Sequence, residues 1–572
     1  MEITHDVLNV WGGGQLLAFS GIDGQTDFYH GLTARTSFDG LGVDVKLPGK
    51  CQLIFAPGFR SFCRSRLQRD FCRSRLQRDT GQLPPRLTLA GDFWAIETAD
   101  GLVRGAFLDA YHLLIEGPCT VTRRGPEIAV RQQGGRTLVG SAVRFDPSKV
   151  DADLDAAIAD RRRWLESIAL PPGISDRARR TLVKALSQIK TTVYAPEGRI
   201  RRRFTTPDRW PHRGMWLWDS AFHAIGIRHL DVELAREILE AVFDGQREDG
   251  MVPMRTDPGA SHAVSLSTFT QPPVLALATM LVEQAGPDRA WLERMLPRLA
   301  AYVQWDLDNR DSDGAGLAEW AIEEHENCRS GESGWDNSPR FDAATQLDAT
   351  DLNSFLALEC EILARLARSL KLVDSQPAEA QRWDEAHQRL CRLINERLWN
   401  EELGFYVDYD VERNMPSPVL AASGLLPLIC RAPSLEQARQ LAQAIRDPAM
   451  FGTPLPVPTV AARDTEHYAK DMWRGPVWVN VNWLIAYGLE RYGMADIAQE
   501  IRGQTRAEIE RRYLQFGSLF EFYDDRQEID PPQLLRKGKC APQESPFHQV
   551  FFDYGWTATL YVDMVFSSSG SS

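Results

Sequence analysis

The apolar pattern of the chain changes character near residue 150, and this change limits the folds that the chain can adopt. Residues 1 to about 147 contain short apolar runs, such as 52–55 and 93–96, separated by Gly, Pro and Asp. This spacing is typical of an antiparallel β-sandwich. From about 175 to 566 the pattern is a succession of amphipathic helices joined alternately by short and long loops. Such a succession indicates a closed ring of helical hairpins.

Four segments are predicted from this change. At 572 residues the chain is long enough for more than one domain. Residues 1–147 form the β-sandwich, 148–174 a helical linker and 175–566 the helical domain. Residues 567–572 are all Ser or Gly and are expected to form a disordered tail.

Composition excludes several classes of function. A net charge of −13 leaves no basic surplus for nucleic acid. No apolar run is long enough to cross a membrane, and the first residues do not resemble a signal peptide. The 9 cysteines contain no CxxC pair, which favours reduced thiols and a cytoplasmic location. No nucleotide-binding glycine motif or zinc spacing is present, so no cofactor is expected.

A nine-residue segment rich in arginine occurs twice in succession, at 62–70 and 71–79. Two copies are too few for a repeat architecture. The interpretation we favour is a local duplication in a solvated loop, and the alternative is a basic docking patch.

The segment Gly331–Arg340 places Asp336 beside Trp335. An apolar neighbour favours the protonated form of a carboxyl group, which suits a general acid. Glycoside hydrolysis needs a second carboxylate. Glu521 is the candidate, because apolar and aromatic residues surround it and it is expected to face a cleft. The alternatives are an Asx turn at the first site and a solvated edge-strand glutamate at the second.

Three further clusters carry aromatic residues. The first, 213–223, suggests sugar stacking and a hydroxyl-binding carboxylate, with core tryptophans and a helix N-cap at Asp219 or Ser220 as the alternative. The second, 472–483, holds more tryptophans than a core requires. The third, 547–556, would close the bottom of the site. The candidate sugar-binding residues in these clusters and in Gly331–Arg340 are Trp216, Trp218, Asp219, Trp335, Trp473, Arg474, Gly475, Trp478, His548 and Trp556.

One acidic stretch resembles a calcium loop. Asp311 and Asp313 lie in an oxygen-rich segment, and Glu319 stands at the eleventh position of a loop counted from Asn309, where an EF-hand has its ligand at the twelfth. An acidic turn without a cation is the favoured interpretation, and a structural calcium ion is the alternative.

Several motifs together resemble the inverting α-glycosidases of glycoside hydrolase family 63 and their glycerate-glycoside relatives. They are Gly214–Asp219, Gln271–Pro273, Glu332–Ser338, Trp473–Trp478 and Glu521–Tyr523. The resemblance covers about 175–566 and implies a mainly α fold with an (α/α)6 barrel. It also implies that Asp336 is the general acid and Glu521 the general base. The residues that the resemblance implies bind the released sugar are Asp219, Trp216, Gln271, Trp473, Gly475 and Trp478. After Tyr523 the sequence departs from the family pattern.

The predicted activity is hydrolysis of an α-glycoside with inversion, with a small carbohydrate as substrate. Inversion requires the two carboxyl groups to be about 6.5–9.5 Å apart, so that a water fits beside the sugar. An α-glucoside of a disaccharide or oligosaccharide is favoured, because the glycerate-acting relatives look like single barrels. Trehalose and glycerate glycosides remain alternatives. A sugar epimerase, a phosphorylase and a non-catalytic glycan-binding protein are the other hypotheses.

Overall fold

The computed structural model describes residues 11, 14–37, 41–55, 87–98, 101–259, 268–325, 328–370, 377–537 and 550–569. The duplicated segment at 62–79 and the candidate site residue His548 lie outside these ranges. The chain divides into two compact units. Unit 1 consists of Met1–Gly214, Ile509–Leu519 and Phe552–Ser572, and unit 2 consists of Met215–Glu508 and Phe520–Phe551.

Unit 1 contains two antiparallel sheets, as predicted for the N-terminal part. Their orders are β1-β2-β3-β4-β9 and β10-β11-β8-β7-β6-β5. The sheets contact each other through aromatic side chains, since Phe55 stacks on Trp94 with ring centroids 6.0 Å apart. The strands are β1 (Leu16–Ala18), β2 (Thr33–Thr36), β3 (Gly42–Leu47), β4 (Lys50–Ile54), β5 (Leu87–Leu89), β6 (Phe93–Thr98), β7 (Gly101–Phe107), β8 (His112–Glu116), β9 (Thr120–Arg124), β10 (Ile128–Gln133) and β11 (Arg136–Ser141).

Helices complete unit 1. They are α1 (Leu154–Ser167), α2 (Asp176–Thr192) and α13 (Gly555–Ser569). Helix α2 is almost entirely buried, and its Lys184 ammonium lies 2.6 Å from the carboxylate of Asp553. Helix α13 continues through Ser569, so residues 567–569 are helical where the sequence predicts a disordered tail. The apolar run that precedes these serines carries the helix onward.

Unit 2 is mainly helical, and short and long connections alternate along it. Only a few residues separate α3 from α4 and α5 from α6, whereas the segments 243–274, 310–349 and 447–478 are long. The helices are α3 (Leu217–Ile227), α4 (Val232–Val242), α5 (Leu275–Ala285), α6 (Arg289–Asn309), α7 (Thr350–Ser369), α8 (Pro377–Leu393), α9 (Pro427–Cys430), α10 (Leu435–Arg446) and α11 (Val479–Arg491); α12 (Ala495–Phe516) follows.

The long segments carry two-residue strands and the candidate site residues. The strands are β14 (Met215–Trp216), β15 (Arg255–Thr256), β16 (Leu347–Asp348), β17 (Trp399–Asn400), β18 (Phe405–Tyr406), β19 (Tyr409–Asp410) and β20 (Met415–Pro416), while β12 (Val193–Tyr194) and β13 (Phe204–Thr205) belong to unit 1. Two of the pairings, β14 with β15 and β16 with β19, join segments that are distant in the chain, and the pairing fixes the course of the loops. Among the described helices, none has the length and apolar character needed to cross a bilayer.

Candidate active site

An aromatic stack joins the sequence clusters that lie in unit 2. The ring of Trp335 stacks on Trp473 at 4.8 Å, and Trp473 stacks on Trp478 at 3.7 Å. Trp478 then contacts Phe522 at 4.9 Å, and Trp218 lies 6.2 Å from Trp473. The stack therefore connects the residue before one predicted catalytic carboxylate with the residue after the other.

The stack serves as a scaffold, and it does not provide the sugar platform that the sequence predicts. Trp335, Trp473 and Trp478 are 1%, 0% and 1% exposed. Both faces of Trp473 are covered by other rings, so no face remains for a sugar. Trp218 is buried as well, and Trp216 is half-buried. Among these five, Trp216 is the one whose ring surface is partly accessible.

Asp336 contacts a cation. Its carboxylate pairs with the ammonium of Lys537, and the Asp336 side chain is 21% exposed. Burial is the largest single influence and lowers the pKa of Lys537, but the charges of Asp336 and Cys328 together outweigh burial and raise the pKa. The sequence carries no sign of this contact, because Lys537 belongs to no recognisable motif.

Glu521 is also paired with a cation. Arg536 donates two hydrogen bonds, from Nε to Oε2 at 2.8 Å and from Nη2 to Oε1 at 3.2 Å. The amide of Phe551 lies 3.4 Å from Oε2. Glu521 is 1% exposed, whereas its sequence context predicts that it faces a cleft. The bidentate pair fixes the orientation of this carboxylate.

Arg536 and Lys537 are consecutive, and each contacts one of the two predicted catalytic carboxylates. The preceding residue, Leu535, holds both cations in place, because its amide donates to Lys470 O at 3.2 Å and its carbonyl accepts from Met472 N at 3.1 Å. A second short pairing joins Val477 and Tyr523 through hydrogen bonds of 2.8 and 3.0 Å. Sequence reasoning missed both cations, because these contacts link loops far apart in the chain.

The loop before Asp336 is anchored by a buried glutamate. Glu332 is 0% exposed and accepts from Arg310 Nη2 at 2.5 Å and from Ala321 N at 2.9 Å. Gly334, with φ +71°, follows, and a Cβ there would lie 2.4 Å from the Trp218 ring. Glycine therefore allows the loop to approach this ring closely.

A buried ion-pair network lies on the other side of the same loop. Arg340 donates to Asp351 at 2.7 and 2.8 Å and to Asp408 at 2.6 and 3.2 Å. Its guanidinium lies 5.5 Å from the Trp335 ring centroid. All three charged side chains are almost fully buried, so the network fixes the loop onto helix α7 and onto Asp408, the residue before strand β19.

The remaining predicted residues of the first motif are structural neighbours of the stack. Helix α3 begins at Leu217 with Trp216 as its N-cap residue, so the prediction of an N-cap at Asp219 or Ser220 is wrong. Asp219 lies within the first turn and is buried. The side-chain oxygen of Gln271 accepts from Trp218 N at 3.2 Å.

Arg474 and Gly475 have clear local roles. Arg474 forms an ion pair with Asp342. At Gly475 a Cβ would lie 2.4 Å from Ala469 O and 2.8 Å from the Tyr468 ring, at φ +152°. Glycine is therefore required by neighbouring protein atoms, whereas the sequence suggested a glycine that lets a ligand approach.

Trp556 belongs to unit 1 and packs edge-on against Tyr554, with ring centroids 4.8 Å apart. Two surface cavities of about 690 and 470 Å³ occur among the described residues. Both are lined by residues of the acidic segment after α6, and neither is lined by the aromatic stack.

Several known glycoside hydrolases are similar to this chain. The profile of the mannosylglycerate hydrolase MGH1-like glycoside hydrolase domain matches residues 211–528. Mannosylglycerate hydrolase from Thermus thermophilus is 29% identical over 404 residues, covering 57% of this chain and 92% of that protein. Periplasmic trehalase from Salmonella newport is 29% identical over 248 residues, covering 41% of each chain.

A solved structure supports the same relationship. The crystal structure of the GH63 mannosylglycerate hydrolase from Thermus thermophilus in complex with glucose is 26% identical, with a TM-score of 0.54. The match covers 67% of this chain and 99% of that chain. Asp336 and Glu521 fall within the matched family profile, whereas Arg536 and Lys537 lie beyond its end at residue 528.

Proposed function

The chain belongs to the family of mannosylglycerate hydrolase MGH1-like glycoside hydrolases, and we propose that it hydrolyses a small α-glycoside with inversion at the anomeric carbon. In this proposal Asp336 is the general acid and Glu521 the general base, within an (α/α)6 barrel preceded by a β-sandwich. The support is the joining of both loops by one aromatic stack.

Glu521 has an acceptor site to spare for the water that a general base activates. A carboxylate offers about four acceptor sites. Arg536 uses two, and the amide of Phe551 lies near a third. One site remains for a water, which Glu521 would deprotonate as the water attacks the anomeric carbon. This arrangement requires carboxyl groups about 6.5–9.5 Å apart.

Asp336 would donate its proton to the glycosidic oxygen as the bond breaks. A general acid contacts the leaving group, so a cation paired with it lies on the leaving-group side. Lys537 is that cation. An aglycone that carries a carboxylate would pair with Lys537 and release Asp336, which would then take a proton from solvent. The site therefore suits a glycoside of a small acid, such as mannosylglycerate or glucosylglycerate.

The single observation that carries this substrate class is the Lys537–Asp336 pair. A neutral α-glucoside, including trehalose, is the second candidate. The N-terminal sheets favour this second candidate. The match to the Thermus mannosylglycerate hydrolase covers 57% of this chain and already 92% of that enzyme, which leaves too little of that enzyme for a counterpart of the sheets.

A substrate panel tests the proposal. Hydrolysis of α-linked mannosylglycerate, glucosylglycerate, trehalose, kojibiose and maltose is followed with the wild-type chain, Asp336→Asn and Glu521→Gln. We expect each variant to lose about 10²–10⁴-fold in kcat, as for loss of a general acid or base. The matched controls Asp384→Asn and Glu500→Gln, both on the surface, should retain activity. Full activity of Asp336→Asn, or cleavage only when phosphate is supplied, would contradict the proposal.

A further inference from the structure

Three acidic side chains meet beside the long loop that follows α6. One carboxylate oxygen from each of Asp313, Glu319 and Asp348 lies within 4.8 Å of the others. Calcium binds oxygen ligands at about 2.3–2.6 Å, so two ligands on opposite sides of the ion lie about 4.6–5.2 Å apart. The spacing of the three oxygens therefore fits one bound ion.

The state of Asp348 points independently to a missing ligand. Its side chain is 0% exposed, and neither oxygen accepts a hydrogen bond from any residue in the described ranges. Arg397 lies 3.3 Å from Oδ2 but does not have hydrogen-bond geometry. Buried carboxylates are normally hydrogen-bonded or coordinated to a metal. Arg397 gives this carboxylate one charged neighbour, but three carboxylates meet at this point, so a metal ion fits as the ligand that its oxygens lack.

Charge and ligand type indicate which cation. Asp313, Glu319 and Asp348 bring three negative charges together, and Arg397 supplies one positive charge. A divalent ion would complete the balance. The three ligands are all carboxylate oxygens, which suit hard cations, whereas zinc prefers nitrogen and sulfur. Calcium tolerates an irregular loop better than magnesium, which demands near-octahedral geometry.

Neighbouring groups shape the site and leave it accessible. Asp311 accepts from Gly316 N at 3.0 Å through Oδ2, while its buried Oδ1 has no hydrogen-bond partner among the described residues. Ser312 and Gln346 donate to Glu319 and fix its carboxylate. Glu319 and Gln346 also line the cavity of about 470 Å³, which gives an ion a route from solvent.

We propose that Asp313, Glu319 and Asp348 bind a calcium ion, with Asp311 beside it. The ion would join the loop after α6 to strand β16, which carries Asp348. The sequence alone favours an acidic turn here, because Glu319 stands at the eleventh position of the loop and not at the twelfth, and it gives no sign that Asp348 joins the loop.

This site would also steady the candidate active site. Residue Ala321, two positions after Glu319, donates through its amide to Glu332 at 2.9 Å. Glu332 begins the loop that carries Trp335 and Asp336. A cation at Glu319 would therefore fix one anchor of that loop, without contact with the substrate.

Thermal unfolding and calorimetry on the full chain test the site. After EDTA treatment and desalting, calcium chloride in the millimolar range should raise Tm by several degrees and give a saturable binding heat. Asp313→Asn, at an exposed position, and Asp348→Asn should each weaken calcium binding about tenfold or more, since ligand charge sets affinity. Asp308→Asn, on the exposed end of α6, is the matched control and should bind like the wild type.

Both Asn variants should keep the wild-type Tm in EDTA, because Asn replaces a carboxylate that repels its neighbours. No binding heat and no Tm shift in the wild type would overturn the proposal. An unchanged calcium response in both variants would overturn the assignment of the ligands, and an equal response to magnesium would overturn the choice of calcium.

Discussion

Replacement of Lys537 by methionine tests whether the enzyme prefers a glycoside with an acidic leaving group to one with a neutral leaving group. The change keeps an unbranched side chain and removes the ammonium that contacts Asp336. If Lys537 binds the carboxylate of the aglycone, the variant should lose activity on mannosylglycerate. It should lose little on α-mannosylglycerol, which differs from mannosylglycerate by having a hydroxymethyl group in place of the carboxylate.

The magnitude follows from the environment of the lysine. A hydrogen bond to a charged group contributes about 1.5–3 kcal/mol. Each ~1.4 kcal/mol is a factor of ten, so the loss corresponds to about 10–150-fold in kcat/KM. The Lys537 side chain is 22% exposed, and solvent screening places the effect toward the lower end of that range.

The assay is the ratio of kcat/KM for the two glycosides, measured with wild type and Lys537→Met. We expect the ratio to fall at least about tenfold in the variant. Lys149→Met, which removes a surface ion pair with Asp109 in unit 1, is the matched control and should leave the ratio unchanged. An equal loss on both glycosides would refute the role in recognising an acid.

Three other changes test the packing around the site. Arg340→Met leaves Asp351 and Asp408 as buried unpaired charges, so the free energy of unfolding should fall by about 3–5 kcal/mol, measured by urea denaturation; a loss below about 1 kcal/mol would show that the network is not buried as described. Gly475→Ala forces a Cβ against backbone and should cost about 1–3 kcal/mol, seen as a lower Tm, and a wild-type Tm would contradict this. Burial raises the pKa of Glu359 from 4.5 to about 8, so the folded chain keeps a proton that the unfolded chain releases. Stability due to this group should therefore fall as pH rises between those values, by about 1.4 kcal/mol per unit. Urea midpoints of Glu359→Gln should lack this fall, and an identical pH dependence in both proteins would argue against it.

Helices were predictable from the sequence because their signals are local. The pattern predicts helices over 435–446 and 479–492, and the structure has Leu435–Arg446 and Val479–Arg491. Helix α10 begins with a capping box between Ser434 and Gln437, which is visible in the sequence. The start of α3 was misplaced, because Asp219 resembles a cap but the helix begins two residues earlier.

The grouping of the aromatic clusters was predictable, but the use of their rings was not. Trp335, Trp473 and Trp478 were expected to present faces to a sugar. Trp473 and Trp478 lie in the long segment 447–478 and Trp335 lies in the segment 310–349, and the three rings stack where these two segments meet. Composition alone does not distinguish a ring that binds a ligand from one that packs on another ring.

The charged partners of the site could not be found from sequence. Arg536 and Lys537 belong to no motif, and they reach Glu521 and Asp336 only because Leu535 pairs with the segment around Met472. The same is true of Asp348, which joins the acidic loop from a separate strand. These contacts depend on pairing between segments that are distant in the chain, and a single sequence carries no local signal of such pairing.

The anomeric form of the first product tests the central claim most directly. Proton NMR during hydrolysis of α-linked mannosylglycerate, before mutarotation, reports which anomer of mannose is released. Two carboxylates acting as acid and base across a water predict that β-mannose appears first. Initial release of α-mannose would contradict the assignment of Glu521 as a base that activates water.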